Sequence, residues 1–487
     1  MALACGTNFT VLLTERMGLL FSGSDAKGYI GGIADDRRIA PFMLGGWAWG
    51  ETVGEGVDEL PGGMQAVAAL AQIEGALGPP RRISADEHWE FMEEVVMVAA
   101  GLSCFVCVTK SGAVIATGDN TLGSIGLGDV IIGSSFARLG PDAFGSDPAM
   151  MVACGEYHTL VLTRTGLVWA FGCGFQGQNA NLRLKCLFLP TLVAGLDNIV
   201  MVAAGDDTSV ALGADGRVWT WGSSRHGALG HNDTGRGPMP IPRALELHAF
   251  GGDAVLFVAV GYMYMMAVTT RGDLWAWGAG QYGQLGLGDV AGRRVPTRLT
   301  NTWDGSRVRM VSCGCILCPH TMAATEDGAV WTWGSSHSGQ LGHNDELDRA
   351  TPTRIPQTAF GGAHIVLVHT SNQHVSMAVT RHGLVYQWGS VVHGHQPGGL
   401  GTSLVPVPLG SSLSREGRCG HSCAVRPSNM LAFASGTHAR LGEECVFKGL
   451  VQELLMCIHE QAQAPGGAYA HMREGQLRLL GATVRVT

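Results

Sequence analysis

Residues 152–172 read VACGEYHTLVLTRTGLVWAFG, and the phrase returns as VAAGDDTSVALGADGRVWTWG at 202–222 and as VAVGYMYMMAVTTRGDLWAWG at 258–278. Each copy has an anchor glycine, an apolar run, a turn glycine and an aromatic run that closes on glycine. Self-similarity on this scale marks an array of like units, each too small to bury its apolar face without its neighbours.

The frame can be counted. From anchor to closing glycine the step is 17 residues for Gly6–Gly23, Gly101–Gly118, Gly155–Gly172, Gly205–Gly222 and Gly261–Gly278. A sixth unit, Gly314–Gly334, is three residues longer, and in the seventh the closing Gly389 points back 17 residues to Asn372. Asn is the non-glycine residue that best tolerates positive φ, so the anchor is expected to be a positive-φ position. A weaker eighth copy, RCGHSCAVRPSNMLAFASG at 418–436, is one residue short from Gly420 to Gly436.

Each unit reads as strands. Val161, Val168 and Trp169 lie in short runs rich in Val, Leu, Thr and Trp, bounded by turns such as Asp215-Gly216 and Asp327-Gly328. Glycine-rich loops follow the closing glycine: HGALGHND at 226–233, GQYGQLGLGD at 280–289 and HSGQLGHND at 337–345. Pro-flanked extended segments come next, among them VPTRL (295–299), TPTRI (351–355) and VPVPL (405–409). Proline suits an outer edge strand, where its missing N–H leaves no ladder bond unmade. Four strands in roughly 50 residues is the pattern of a propeller blade.

The phrases ACGEYHTLVLT, GLVWAFG and YGQLGLGD resemble the repeat of the RCC1 (regulator of chromosome condensation) family, and the likeness covers most of residues 1–442. The resemblance implies an all-β fold, an RCC1-like β-propeller of seven blades, with eight open as the alternative because of the copy at 419–442. The domain expectation is a propeller over 1–445 and a helix with tail over 446–487 that packs on or beside it. Anchors Gly6 and Gly101 stand 95 residues apart, so the stretch at about 41–97, with a helix-like MQAVAALAQIEGAL, reads as an insertion after the first unit, with a decayed blade as the alternative. In the C-terminal segment VFKGLVQELLMCIHEQAQ, Leu450, Leu454 and Cys457 fall on one helical stripe.

Charge and composition exclude several classes. The net charge is −8 and neither end carries a Lys/Arg-rich tail, which argues against direct nucleic-acid binding and a chromatin role. Eight of the 12 tryptophans fall in the aromatic strands of five successive units, a placement that assigns them to packing between blades. No basic, apolar leader opens the chain, and the apolar run at 254–270 is interrupted by Gly261 and lies in frame with the blades. The expectation is an intracellular monomer, cytoplasmic or nuclear, with no membrane span.

No Walker loop, HExxH or nucleophile elbow is present, so the chain is expected to be a non-enzyme without cofactors. Among the 13 cysteines, Cys104 and Cys107 make a CxxC, but residues three apart on a strand point to opposite faces. Cys313, Cys315, Cys318 and His320 have the donor types of a tetrahedral zinc site at a spacing no established finger uses. Cys313 and His320 also occupy ordinary repeat positions, so the expectation is no metal.

The turn after each anchor carries the functional reading. Repeat geometry puts these turns on one face of the ring. The resemblance implies that Asp and His residues there can engage a small GTPase and favour its nucleotide-free state. The matching positions are Glu156, His158, Asp206, Asp207, His320 and His374. The repeat histidine is equally suited to hydrogen bonding inside the array. Three functions follow: a protein-interaction propeller acting as adaptor or scaffold, a guanine-nucleotide exchange factor, and, against the charge balance, a chromatin-binding protein.

Overall fold

The computed structural model describes residues 95–391 and 401–408, apart from 103, 129–131, 182, 234–236, 301–302, 315–318, 371–373 and 383. It also describes the backbone of strands Ala2–Cys5, Phe9–Thr14, Gly18–Gly23, Ile39–Met43 and Arg81–Arg82. The eighth copy, the helix-like part of the insertion and the C-terminal helix lie outside the described residues.

The fold is an RCC1-like β-propeller. Seven antiparallel sheets are described, one for each of the seven repeat units, six of four strands and one of five. The third unit is representative. Its strands are Ala149–Cys154, His158–Thr163, Val168–Cys173 and Cys186–Leu192, hydrogen-bonded in chain order. The second strand is buried along its whole length, whereas the fourth is half-exposed, so the apolar runs sit inside and the Pro-bearing strands outside. The apolar run 254–270 becomes two such strands, Val255–Val260 and Tyr264–Thr269. No helix among the described residues is long and apolar enough to cross a membrane.

The first strands of successive units pack on one another from Ala2–Cys5 through Ile365–Thr370. The first unit's fourth strand, Ile39–Met43, reaches into the stretch read as insertion. Farther along it, Arg81–Arg82 pairs antiparallel with Ala137–Arg138 and adds a fifth strand to the outer edge of the second sheet. Part of the insertion therefore covers a sheet edge that would otherwise be open to pairing.

In the fourth to seventh units a tryptophan joins the unit to the one before. The buried indoles of Trp221, Trp277, Trp333 and Trp388 donate from Nε1 to the carbonyls of Gln178, Ala228, Gln284 and Gln340, at 2.8–2.9 Å. Each acceptor lies in the loop between the third and fourth strands of the preceding unit. Phe250 and Phe360, from short helical turns between units, meet Trp277 and Trp388 edge-on at 5.9 and 6.0 Å. Truncating one such indole to alanine costs roughly 3–5 kcal/mol, from lost burial and the cavity together.

The two repeat glycines have different causes. Closing Gly172 has φ +100°, and a Cβ there would lie 2.4 Å from the carbonyl oxygen of Tyr157. Anchor Gly155 is not a positive-φ position, contrary to the sequence expectation. A Cβ on it would meet the His158 ring at 2.2 Å and the Asp206 carbonyl oxygen of the next unit at 2.8 Å. The anchor is glycine because adjacent units approach closely there. Asn372, the exception on which the expectation rested, lies outside the described residues.

Candidate functional site

Antiparallel order places two kinds of segment at the same end of every sheet: the anchor turn joining strands one and two, and the loop joining strands three and four. The anchor turns are stitched together by their backbones. Leu102 N–H donates to Glu156 O at 3.2 Å, Glu156 N–H to Asp206 O at 3.0 Å, and Tyr262 N–H to Gly314 O at 3.3 Å. Within each unit the third strand holds the turn from below, as where Cys173 N–H donates to Tyr157 O and Ser223 N–H to Asp207 O. A rigid scaffold thus presents a row of side chains at one end of the sheets.

Three carboxylates converge in that row. Asp206 sits at φ +48° with only 6 % of its surface exposed, beside Glu156 of the preceding unit. Burial pushes its carboxyl up to about 7, reinforced by the hydrogen bond and the charge of Glu156 and opposed by Arg225. Burial and the charge of Asp206 push Asp207 up to about 6. Asp207 Oδ1 accepts from Gln178 Nε2 at 2.6 Å, so a loop residue of the third unit fixes a turn residue of the fourth. Asp206 Oδ2 is buried without a hydrogen-bond donor among the described residues.

Two tyrosines flank the acids. Tyr157 and Tyr262 are both half-buried, and burial followed by the nearby carboxylates raises their phenols. Phe175, 49 % exposed, stands on the third unit's loop with the Lys185 ammonium 5.5 Å from its ring. The arrangement joins acidic, aromatic and apolar groups on one end face. It can hold a cation or a hydrogen-bond donor against two acids that share their surroundings with tyrosine.

Of the sequence candidates, Glu156, Asp206 and Asp207 are brought together, whereas His158 and His320 lie beneath. Both rings are fully buried. His158 Nε2 meets Ser209 Oγ at 2.8 Å, and Ser209 donates its proton to Gln178 O at 2.8 Å. The serine hydroxyl is therefore the acceptor and His158 the donor. His320 repeats this geometry with Ser376 and Gln340, at 2.9 and 2.7 Å. Burial lowers His158 to about 3, so it is neutral at physiological pH. In the fifth unit Tyr264 stands in the histidine's place, its hydroxyl donating to His320 O at 2.8 Å. His374 is half-buried in the seventh unit and near His337, away from the acids.

Cys313 is buried, and Cys315 and Cys318 lie outside the described residues. Among the described residues no group of three or more His, Cys, Asp or Glu could hold a metal ion. Gln178 and Arg225 were not among the sequence candidates. Gln178 had a signal, since glutamine recurs in the loops as Gln284 and Gln340, all three fully buried.

The sequence profile of the RCC1-like domain matches residues 1–374 and 141–448 in two overlapping placements, as a repeat allows. The chain is similar to the Ultraviolet-B receptor UVR8 of Arabidopsis thaliana, with 32 % identity over 373 residues, covering 74 % of this chain and 81 % of that protein. It is similar to the E3 ubiquitin-protein ligase HERC2 of Homo sapiens, 33 % identical over 345 residues, but spans only 7 % of that much longer protein while using 68 % of its own length. The solved structure of Prp20p from Saccharomyces cerevisiae, described with its binding properties to Gsp1p and histones, superposes with a TM-score of 0.56 at 20 % identity, covering 76 % of this chain and 80 % of that one. At that identity the superposition establishes fold. The profile and the first relative establish kinship: this chain belongs to the RCC1-like family.

Proposed function

We propose that this propeller is a protein-interaction module that docks a protein partner on the end face carrying Glu156, Asp206 and Asp207. One observation carries the reading. Two carboxyls raised to about 6 and 7 are held side by side where segments of the third and fourth units meet, at a cost to stability that packing alone would not require. The flanking Tyr157, Tyr262 and Phe175 supply the aromatic contact area that protein interfaces favour. With a net charge of −8, the reading takes a protein with basic groups, rather than nucleic acid, as the ligand.

A second reading is nucleotide exchange on a small GTPase, favoured by the same acids. A carboxylate delivered to the cations of a nucleotide site competes with the phosphates for them and so favours the nucleotide-free protein. Release of a fluorescent guanine nucleotide from a panel of small GTPases tests it. Exchange requires acceleration by the wild-type chain that is lost in Asp207→Ala. No acceleration with any GTPase at micromolar propeller removes that reading and leaves the interaction module standing. Parallel affinity capture with wild-type and Glu156→Ala/Asp207→Ala chains tests the module itself.

A further inference from the structure

The third unit holds a pair of thiols that none of its roles as a blade requires. Cys173 ends the third strand and Cys186 begins the fourth, and the two are direct cross-strand partners. The next hydrogen bond runs from Gly174 N–H to Lys185 O, so Cys173 and Cys186 occupy a non-hydrogen-bonded position. At such positions the Cα atoms stand about 4.5 Å apart and the side chains lie closer than elsewhere in the ladder. That separation is at the short end of what a disulfide spans, roughly 4.4–6.8 Å. In the following sheet the corresponding partners are Ser223 and Pro238, and in the fifth unit Ala279 stands at the place of Cys173. The backbone position is general, whereas the thiols are particular to this unit.

We propose that Cys173 and Cys186 form a reversible dithiol–disulfide site, with Cys186 as the attacking thiol and Cys173 as the resolving one. The two sulfurs differ in access. Cys173 is 4 % exposed, whereas Cys186 is half-buried and sits beside Lys185 where the loop meets solvent. They differ in ionisation in the same sense. The hydrogen bond between them lowers Cys186, aided by the Gly174 backbone and the Lys185 charge, and raises Cys173 with help from burial. The thiolate is the nucleophile in exchange chemistry, so attack begins at Cys186. By contrast, Cys104 and Cys154 also interact, but Cys104 is 2 % exposed and sealed between two sheets.

The oxidant is a small-molecule disulfide of the oxidised-glutathione class. The Cys186 thiolate attacks one of its sulfurs, forming a mixed disulfide and expelling the first small thiolate. The Cys173 thiol then loses its proton and attacks Cys186 Sγ, expelling the second. Two protein thiols are oxidised, one small disulfide is reduced to two thiols, and the two protons pass to the leaving thiolates. A cross-strand bridge at the short limit of its span is strained and therefore readily reduced, which makes the step reversible. The site does not depend on the partner reading, although Cys173 N–H holds the turn of Glu156 and Tyr157 through Tyr157 O at 2.8 Å.

The test uses the full chain equilibrated without oxygen in glutathione buffers of stepped redox ratio, acid-quenched, alkylated and peptide-mapped by mass spectrometry. The wild type is expected to give a Cys173–Cys186 linked peptide that excess reduced glutathione returns to two alkylated cysteines. Cys173→Ser is expected to leave glutathione on Cys186, and Cys186→Ser to leave Cys173 unmodified. Separate alkylation of both cysteines at every ratio in the wild type would overturn the site. A glutathione adduct that persists on Cys186 while Cys173 is present would overturn the resolving role.

Discussion

The backbone N–H of Glu156 donates to the carbonyl oxygen of Asp206 at 3.0 Å, so two acids from adjacent sheets are held side by side. Burial, then Glu156, raises Asp206 to about 7 against an ordinary 3.8. The attachment that orders the end face also charges it against itself.

That opposition sets a pH dependence. Between about 4 and 7 the folded chain holds a proton on Asp206 that the unfolded chain has lost, so this residue's contribution to stability falls as pH rises through that window. Asp206→Asn is expected to raise the thermal midpoint at pH 8, to leave it little changed at pH 4, and to flatten the alkaline side of the profile. The shift bounds the effect at about 4 kcal/mol. His158 acts with the opposite sign. Its folded value of about 3 lies below the ordinary 6.5, so its contribution is complete above about 6.5 and is lost as pH falls toward 3. Thermal unfolding at stepped pH measures both limbs.

Ser209 links two units by accepting from His158 and donating to Gln178 O. Ser209→Ala leaves the His158 donor buried without a partner, at a cost of roughly 1–3 kcal/mol. Gln178 O still accepts from Trp221 Nε1 at 2.9 Å, so the loss falls on the histidine. Denaturant titration of Ser209→Ala should show an earlier midpoint, and an unchanged midpoint would contradict a stabilising His158–Ser209 link between the two units.

Gly172 and Gly195 separate two reasons for glycine. Both have positive φ, +100° and +80°, but Gly172 faces the Tyr157 carbonyl at 2.4 Å, whereas Gly195 has nothing within 4 Å. Gly195→Ala should cost about 1 kcal/mol of backbone strain, and Gly172→Ala clearly more, because the Tyr157 turn must move as well. Equal midpoints for the two variants would contradict the close approach.

The repeat made the sheets legible because glycines, short apolar runs and tryptophans recur at fixed steps, and seven frames became seven sheets. Contacts between units were not legible in the same way. Nothing near His158 in the chain names Ser209, 51 residues on, and the pairing of Arg81–Arg82 with the second sheet has no local signal. Anchor Gly155 was assigned a dihedral cause when its cause is the next unit's Asp206 carbonyl, a contact that exists only once sheets are neighbours. Glu156, Asp206 and Asp207 were legible as positions. Their convergence, and the part of Gln178 in it, required the geometry.

The most direct measurement is affinity capture from the native cell with wild-type and Glu156→Ala/Asp207→Ala chains in parallel, followed by titration of any shared or lost protein in purified form. Both substitutions remove acids from a repulsive cluster, and thermal midpoints check that the fold is intact. A partner that binds the wild type and loses at least about tenfold in affinity for the variant, about 1.4 kcal/mol, is the expected result. The same partners recovered by both chains with equal affinity would contradict the placement of the interaction surface on this end face.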